Sequence, residues 1–361
     1  MKAVLAGGGS AGHVSPLLAL ADRLVADDPA TEIVALGTTA GLEARLVPAR
    51  GYRLHPIPKV PFPRRPSADL LRLPANLRRA VDAARAAIEE LDADVVVGFG
   101  GYVSAPAYLA ARRTTTPIVV HEQNSRPGFA NRLGARLTSH VAVTFPDTPL
   151  RHAVRTGMPL RAEIVGLDVA AARPAARRAF GLDQRRTTLL VFGGSLGAQR
   201  LNEVVPAAAD ALWERGVQVL HVSGNGKTVE VPSPPPGAPA YRVVEYVERM
   251  ELAYAAADFV IGRAGANTVS ELTALGLPAA YVPLPIGNGE QRLNALPVVQ
   301  AGGGLMVADR ELDRAWLLDN VLPLLADPAA LGTMGTAAHA FGRIDADRLL
   351  ADLVRTAIGG S

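Results

Sequence analysis

Cysteine, aromatic side chains and lysine are all scarce in this sequence. Its 361 residues include no cysteine, 5% aromatic residues and only three lysines, at positions 2, 59 and 227. The absence of cysteine excludes disulfide frameworks, thiolate nucleophiles, zinc fingers and iron–sulfur clusters. Arginine supplies most of the positive charge, yet the net charge is only +3. A charge this small over a chain of this length does not indicate a nucleic-acid-binding protein.

Long apolar runs are also missing. The longest uncharged stretches, residues 95–111 and 272–289, are interrupted by Gly and Pro, so neither predicts a membrane-spanning helix. The first apolar run begins at Lys2 and leads into glycines, so no signal peptide is expected. With 49% hydrophobic and 20% charged residues, the composition is typical of a folded globular protein. Because a chain without cysteine needs no oxidising compartment, we expect a cytosolic setting.

Short apolar runs alternate with helical patterns along the chain, and this alternation predicts an α/β fold with parallel sheets covered on both faces. An Ala/Arg-rich stretch without a strand, at about 166–186, separates two such series, so we expect two doubly wound (Rossmann-like) domains facing a cleft. The predicted domains are 1–160 and 161–341, with the last helix, 342–361, packing back on the first. The predicted strands are 3–6, 33–36, 95–97, 118–120, 141–143, 187–192, 217–220, 259–261 and 280–282.

Glycine-rich loops follow several of these strands, where parallel sheets bind ligands. The loops at 7–13 and 193–198 each precede a helix and predict anion sites, because backbone N–H groups and the helix dipole favour negative charge there. The first loop also satisfies the dinucleotide pattern G-x-G-x-x-G. That reading expects an acid at the end of the second strand, but the only acid in that strand, Glu32, lies at its start.

A further loop, 263–271, opens a helix that carries Glu271 in its first turns. A helix start can bind a diphosphate while such a carboxylate accepts hydrogen bonds from ribose hydroxyls. The alternative is that Glu271 only complements the helix dipole. Downstream, Gln291 and Asn294 are three residues apart on one predicted helical face, and paired amides suit sugar hydroxyls.

Seven motifs occur along the chain in this order: GGGSAGH (7–13), GFGGYVS (98–104), HEQN (121–124), TGMPLR (156–161), GGSLGAQRLN (193–202), RAGANTVSE (263–271) and EQRLNA (290–295). Together they resemble the MurG family of N-acetylglucosaminyltransferases, which have the two-domain GT-B fold and act in peptidoglycan synthesis. The resemblance covers nearly the whole chain.

The resemblance implies inverting transfer of N-acetylglucosamine from UDP-N-acetylglucosamine to the 4-hydroxyl of an undecaprenyl-diphosphate-linked muramyl pentapeptide (lipid I), giving lipid II and UDP. The donor is then expected mainly on the second domain, with uracil against Val247, ribose on Glu271 and the sugar on Gln291. The residues implied for substrate binding are Ser10, Ala11, Gly12, Asn124, Arg161, Ser195, Val247, Ala266, Asn267, Thr268, Val269, Ser270, Glu271, Gln291 and Asn294.

The acceptor diphosphate is expected on the glycine loops of the first domain, at Gly9, Gly100, Gly101 and Tyr102. The transfer needs a base for the acceptor hydroxyl. His13 is the first candidate, because it follows a glycine loop and imidazole titrates near neutral pH. The other reading, in which His13 only donates to a phosphate, stays open. His121 and Glu122 are reserve candidates.

An arginine-rich stretch, 50–79, has eight basic residues against Asp69 alone, with leucines interleaved. It favours a peripheral site on the anionic cytoplasmic face of the cell membrane, where the lipid-linked acceptor is presented. The alternative is a solvated helical face whose leucines enter the core. Partners implied by the family are the two substrates, this membrane surface and other enzymes of cell-wall synthesis.

Two positions depart from the commonest family pattern: Ser10-Ala11 replaces Thr-Gly, and Leu196 replaces a frequent Gln. Ser10 keeps the hydroxyl, so we expect donor binding to survive. These loops contain no Asp-x-Asp pair, so no metal or other cofactor is expected, while stimulation by Mg²⁺ is left open.

Three other functions remain open at this point. A nicotinamide oxidoreductase would need an acidic residue to bind the ribose, which the end of the second strand lacks. A UDP-sugar epimerase would need no acceptor. A binding protein would hold UDP-sugar without turning it over.

Overall fold

A computed structural model describes residues 1–60, 69–194, 197–286 and 288–360, with the backbone alone at Ala11 and at residues 69–72. The chain divides into two compact units. The first comprises Met1–Arg161 together with Ile344–Ser361, and the second comprises Ala162–Arg343. Of the predicted membrane patch, residues 61–68 with Phe62, Arg64 and Arg65 lie outside the described residues, and the side chain of Arg72 is not described.

Strands and helices alternate throughout the first unit, as the apolar runs predict. The elements are β1 (Lys2–Ala6), α1 (Ala11–Asp27), β2 (Glu32–Gly37), α2 (Glu43–Ala49), β3 (Arg53–Pro56), α3 (Asp69–Leu91), β4 (Val95–Gly98), α4 (Gly101–Thr114), β5 (Ile118–Glu122), α5 (Phe129–Gly134), β6 (Val141–Val143) and β7 (Ala153–Arg155). Among the described residues they form a seven-stranded sheet in the order β3-β2-β1-β4-β5-β6-β7, and each neighbouring pair is parallel.

The second unit repeats this plan. Its elements are α6 (Ala162–Val165), α7 (Val169–Ala179), β8 (Thr188–Phe192), α8 (Gln199–Val204), α9 (Ala209–Glu214), β9 (Gln218–Val222), β10 (Tyr241–Val244), α10 (Met250–Ala256), β11 (Phe259–Gly262), α11 (Ala266–Ala274), β12 (Ala279–Tyr281), α12 (Glu290–Gln300), β13 (Gly304–Met306), α13 (Arg314–Trp316), α14 (Leu322–Leu325) and α15 (Pro328–Phe341). The described strands form one parallel sheet, in the order β10-β9-β8-β11-β12-β13. Both units are Rossmann-like, so the predicted fold class is confirmed.

Successive residues of β1 face opposite layers of the first unit. Val4 belongs to a core layer shared with α3 and α4, whereas Leu5 belongs to a layer shared with α1. The final helix, α16 (Ala346–Gly359), completes this second layer with Leu350 and Val354, which are fully buried. The first sheet is therefore covered on one face partly by the distant C-terminal end of the chain.

Helix α3 carries part of the arginine-rich stretch. Leu77 on this helix packs against the core of the first unit, as the alternative reading of that stretch expects for its leucines. Throughout the ranges that the structure describes, the helices are too short or too polar to span a bilayer.

The sequence patterns do not predict β3, β7, β10 and β13, which are the outer strands of the two sheets. Outer strands have a neighbour on one side only, and three of these four contain exposed residues. Without burial on all sides a strand needs no continuous apolar run, so the criterion that finds the central strands misses the outer ones.

We expect Leu350→Ala to lower the free energy of unfolding by about 2–5 kcal/mol, because it leaves a cavity between α16 and the first sheet. Urea unfolding followed by circular dichroism measures this change. The neighbouring Leu349, which is only half-buried, gives the matched control Leu349→Ala, whose effect should be clearly smaller. Equal effects of the two variants would contradict the buried position of α16.

Candidate functional site

The loop after β1 turns directly into α1. Gly9 has a φ of +89°, which favours glycine, and the backbone N–H groups of His13 and Val14 donate to the carbonyl oxygen of Ser10 (3.1 and 3.2 Å). The first N–H groups of a helix have no acceptor within it. The first turn of α1, at Ser10–Gly12, is therefore oriented to bind an anion.

The imidazole of His13 lies beside this turn. The Oγ of Ser10 is 2.9 Å from its Nδ1, and a Cβ added to Gly100 would come within 3.2 Å of its Nε2. Burial lowers the pKa of His13 below its ordinary value, although the Gly8 backbone and the charge of Glu43 oppose the shift. His13 is thus held as a neutral imidazole at pH 7, the form in which it can accept a proton.

Two of the backbone N–H groups predicted to meet an acceptor diphosphate are already engaged. The N–H of Gly9 donates to Glu43 Oε2 (3.2 Å), and the N–H of Gly100 donates to the Oγ of Ser104 (2.8 Å). In this structure these two groups bind the protein itself, and the acceptor diphosphate on these loops stays a prediction. A Cβ added to Gly101 would overlap the carbonyl oxygen of Gly8, so the lack of a side chain at Gly101 allows this close contact with the loop after β1.

Glu43 is a residue that the sequence reasoning missed. It is the first residue of α2, and its side chain is completely buried beside Gly9 and Tyr102. The available signal was an acid placed six residues after the end of β2, in a segment that also contains Gly37 and Gly41.

The HEQN motif spans the end of β5 and the loop that follows. Glu122 is buried and accepts hydrogen bonds from the N–H groups of Asn124 (2.9 Å) and Gly128 (3.0 Å) and from Nδ2 of Asn131 (3.0 Å). Burial raises its pKa, against the effect of these bonds. Glu122 therefore organises the loop that presents the half-buried Asn124. Its reserve role as a base stays a prediction.

His121 is completely buried, and both of its ring nitrogens are engaged. Nε2 donates to the carbonyl oxygen of Gly157 (2.9 Å), and Nδ1 accepts from Nε2 of Gln123 (3.0 Å). Burial lowers the pKa of His121 to about 4. His121 thus connects β5 to the backbone at Gly157. Its reserve role as a base stays a prediction, for which one of these two hydrogen bonds would have to open.

In the second unit, the loop after β8 approaches the loop after β9. Gly197 lies against the carbonyl oxygen of Ser223, and Nδ2 of Asn202 donates to that same oxygen (3.0 Å). Oδ1 of Asn202 accepts from Nε2 of the buried His221 (3.0 Å), whose Nδ1 accepts from the hydroxyl of Tyr241. Ser195 and Leu196 lie outside the described residues, so only the supports of this loop are seen.

Two side chains of the RAGANTVSE motif have clear partners. Arg263 pairs with Asp309 (2.5 Å) and donates to the carbonyl oxygen of Val282 (3.2 Å), which ties the loops after β11 and β12 together. Glu271 accepts a hydrogen bond of 2.7 Å from the hydroxyl of the buried Tyr254. Tyr254, on α10, is a second residue that the sequence reasoning missed.

The helix that Gly265 and Ala266 begin is α11. Its first turn carries Asn267, whose Oδ1 is buried without a hydrogen-bond partner, and the half-buried Thr268. Val269 and Ser270 are buried. Of the run 266–271, Asn267, Thr268 and Glu271 are therefore the residues that are only half-buried.

Gln291 and Asn294 do not form the exposed amide pair that their spacing predicts. Oε1 of the half-buried Gln291 accepts from the N–H of Leu284 (2.9 Å), whereas Asn294 is completely buried and donates to the carbonyl oxygen of Ala264 (3.4 Å). Asn294 thus supports the loop of the RAGANTVSE motif from inside. Helical spacing alone does not reveal which position of a face is buried in the folded chain.

Two other predicted binding residues lie at the ends of segments. Val247 follows β10 and is nearly buried, beside the exposed Tyr246. Arg161 is partly exposed at the last position of the N-terminal segment of the first unit.

The chain matches two family domains. Residues 3–143 match the glycosyltransferase family 28 N-terminal domain, and residues 188–350 match the glycosyltransferase family 28 C-terminal domain. Together these domains span most of the chain.

Curated relatives match from end to end. A protein of Streptomyces avermitilis named UDP-N-acetylglucosamine--N-acetylmuramyl-(pentapeptide) pyrophosphoryl-undecaprenol N-acetylglucosamine transferase is 58% identical, with 99% of each chain covered. A protein of the same name from Streptomyces coelicolor is 57% identical, with 99% of this chain and 98% of that protein covered.

Solved structures match over the same extent. The crystal structure of Acinetobacter baumannii MurG has a TM-score of 0.77 at 28% identity and covers 99% of this chain and 100% of that chain. UDP-GlcNAc 2-epimerase from Neisseria meningitidis, bound to UDP-GlcNAc, has a TM-score of 0.70 at 12% identity, covering 99% and 100%. The second likeness shows the fold alone.

We expect the buried histidines to make stability pH-dependent. Burial lowers the pKa of His221, like that of His121, to about 4, so the unfolded chain binds more protons than the folded one below pH 6.5. The free energy of unfolding should fall by about 1 kcal/mol per pH unit for each histidine as the pH drops from 6.5 to 5. Urea unfolding at a series of pH values measures this slope.

The variant His221→Gln serves as the comparison, because it removes one of the two titrating groups. For this variant, the free energy of unfolding should change less steeply with pH between 6.5 and 5 than in the wild type, because the contribution of one histidine is removed. Identical slopes would contradict the neutral, buried state of His221.

Proposed function

This chain belongs to glycosyltransferase family 28 and, within it, to the MurG family, and we propose that it transfers N-acetylglucosamine from UDP-N-acetylglucosamine to lipid I. The products are lipid II and UDP. The observation that carries the proposal is the match to curated N-acetylglucosamine transferases at 57–58% identity over 98–99% of both chains.

The second unit is proposed to bind the donor. The N-terminus of α11 is suited to the diphosphate, because its N–H groups and dipole attract an anion. Glu271, held by Tyr254 at 2.7 Å, is suited to accept hydrogen bonds from the ribose hydroxyls. Val247 is proposed to contact uracil, and the amide nitrogen of Gln291, whose oxygen is used by Leu284, is proposed to contact the sugar.

The first unit is proposed to supply the base. The 4-hydroxyl of the muramyl sugar attacks the anomeric carbon of the donor, the bond from that carbon to the diphosphate oxygen breaks, and His13 receives the hydroxyl proton. Support comes from the lowered pKa of His13 and from the Ser10 hydroxyl, which lies within hydrogen-bond distance of its Nδ1. An attack from the face opposite the leaving group inverts the anomeric centre and gives a β-1,4 linkage.

Departure of UDP needs stabilisation of negative charge. We assign this role to the α11 N-terminus and to Arg161, without a metal ion or another cofactor. Transfer is then expected to persist in the presence of EDTA. Because the acceptor carries a lipid chain, transfer has to take place at a membrane surface. We propose that the protein lies peripherally on the cytoplasmic face and that the arginine-rich stretch 50–79 contacts the anionic lipids.

Release of UDP from UDP-N-acetylglucosamine tests the function, measured with and without a lipid-diphosphate muramyl pentapeptide. Release is expected only with the acceptor. His13→Ala should lower kcat by about 10²–10⁴-fold, because it removes the base. Its dissociation constant for UDP should stay within about twofold, since UDP is assigned to the second unit.

The exposed His152 of the first unit provides the matched control His152→Ala, which should keep wild-type kcat. Conversion of the sugar without acceptor would instead favour an epimerase. UDP binding without turnover would favour a binding protein. Full activity of His13→Ala would remove His13 from the base role and leave the transferase assignment unchanged.

Tyr254→Phe tests the proposed ribose contact. The variant keeps the buried ring and removes the hydroxyl that orients Glu271, so we expect the KM for the donor to rise about 3- to 10-fold with little change in kcat. Initial rates at saturating acceptor measure both constants. Tyr281→Phe removes a buried hydroxyl elsewhere in the same unit that has no hydrogen-bond partner, and it should leave the donor KM nearly unchanged. Equal donor KM values in wild type and Tyr254→Phe would contradict the orienting role.

A further inference from the structure

Glu43 is a buried carboxylate at the carboxyl edge of the first sheet. Its side chain is 0% exposed, and protein donors satisfy it. Oε1 accepts from the N–H and the hydroxyl of Thr38 (3.0 Å each) and from the hydroxyl of Tyr102 (3.0 Å). Oε2 accepts from the N–H of Gly9 (3.2 Å). The donors come from the loops after β1 and β2 and from the first turn of α4, which follows β4.

The surrounding glycines make room for this carboxylate. A Cβ added to Gly8 would lie 2.8 Å from Oε1, and Cβ atoms added to Gly37 or Gly41 would overlap the side chain of Glu43. Part of the glycine pattern that predicts a phosphate loop therefore has another cause. Gly8 lacks a side chain because Glu43 occupies the space beside it.

Glu43 carries a negative charge at neutral pH. Burial by itself raises the pKa of a carboxyl group, but hydrogen bonds from Thr38 and Gly9 more than offset this effect, and the pKa of Glu43 lies below its ordinary value. Hydrogen bonds to an ionised acceptor are stronger than those between neutral groups. A charged carboxylate can therefore hold these three segments together.

We propose that Glu43 is a positioning residue for the transfer, and that it holds the glycine loop in the conformation that places the α1 N-terminus and His13. It acts through the Gly9 N–H and Tyr102 and does not touch a substrate. This inference rests on the proposed function. If Glu43 has this role, an acceptor phosphate is expected at Ser10–Gly12 and not at Gly9. The N–H of Gly9 already donates to Glu43, and the negative charge of Glu43 repels a phosphate.

Glu43→Gln is the decisive variant, because it preserves shape and changes one oxygen. With its amide oxygen at the Oε1 position, Gln keeps the three bonds from Thr38 and Tyr102. Its NH₂ group then faces the N–H of Gly9, and two donors meet. Glu32→Gln is the matched control, since Glu32 is exposed at the opposite end of β2.

Two measurements are made on the full-length protein. In acceptor-dependent UDP release, Glu43→Gln should lower kcat by about 10- to 100-fold, because moving a catalytic group by about 1 Å can lower the rate of transfer this much. Its dissociation constant for UDP should stay within about twofold. Amide hydrogen exchange at Gly9 should become faster. Glu32→Gln should match the wild type in all three.

Wild-type kcat in Glu43→Gln overturns the inference, and so does a lowered kcat with unchanged exchange at Gly9. If Glu43→Gln does not fold, Thr38→Val, which removes one hydroxyl donor to Oε1, replaces it. That variant is expected to lower kcat a few-fold and to speed exchange at Gly9, and unchanged values overturn the inference. Absence of acceptor-dependent release in the wild type refutes the proposed function instead, and the exchange rates then decide the role of Glu43 in the loop.

Discussion

Parallel pairing of the central strands is the constraint on which the rest of this molecule depends. Because β1 pairs in parallel with both β2 and β4, the loops after these three strands emerge at one edge of the sheet. The same holds for β8, β9 and β11 in the second unit. Every residue to which we assign a chemical role follows a strand in this way or lies on the helix that comes next.

At these edges, buried polar groups stabilise the loops and thereby position the exposed ones. Glu43 and Glu122 each bind two backbone N–H groups in the first unit. In the second unit, Arg263 and Asn202 bind backbone carbonyl oxygens of neighbouring loops. Leaving such groups unpaired is costly in a protein interior, so each network favours one loop conformation. The groups proposed to meet substrate, such as His13 and Glu271, are positioned by this buried support.

The central strands were predictable because burial on both faces demands continuous apolar runs, as in β4 (Val95–Gly98) and β11 (Phe259–Gly262). The outer strands were not, because partial exposure removes that demand, as in β10 (Tyr241–Val244), where two of four residues are exposed. Similarly, the motifs identified His13 and Glu271, whereas Glu43 and Tyr254 escaped notice. Their importance arises from a partner distant in sequence, and a single sequence carries no sign of that pairing.

The fold class, the glycine loops after β1 and β8 and the family of this chain follow from its amino-acid sequence alone. These features depend on local periodicity and on motifs of adjacent residues. The folded structure was needed to show that the N–H of Gly9 binds Glu43, that both nitrogens of His121 are engaged and that Asn294 is buried. It also shows that α16, whose packing on the first unit was expected, joins the layer formed by α1. Solvent exposure and hydrogen-bond partners depend on which distant segments pack together, and packing is a property of the folded chain.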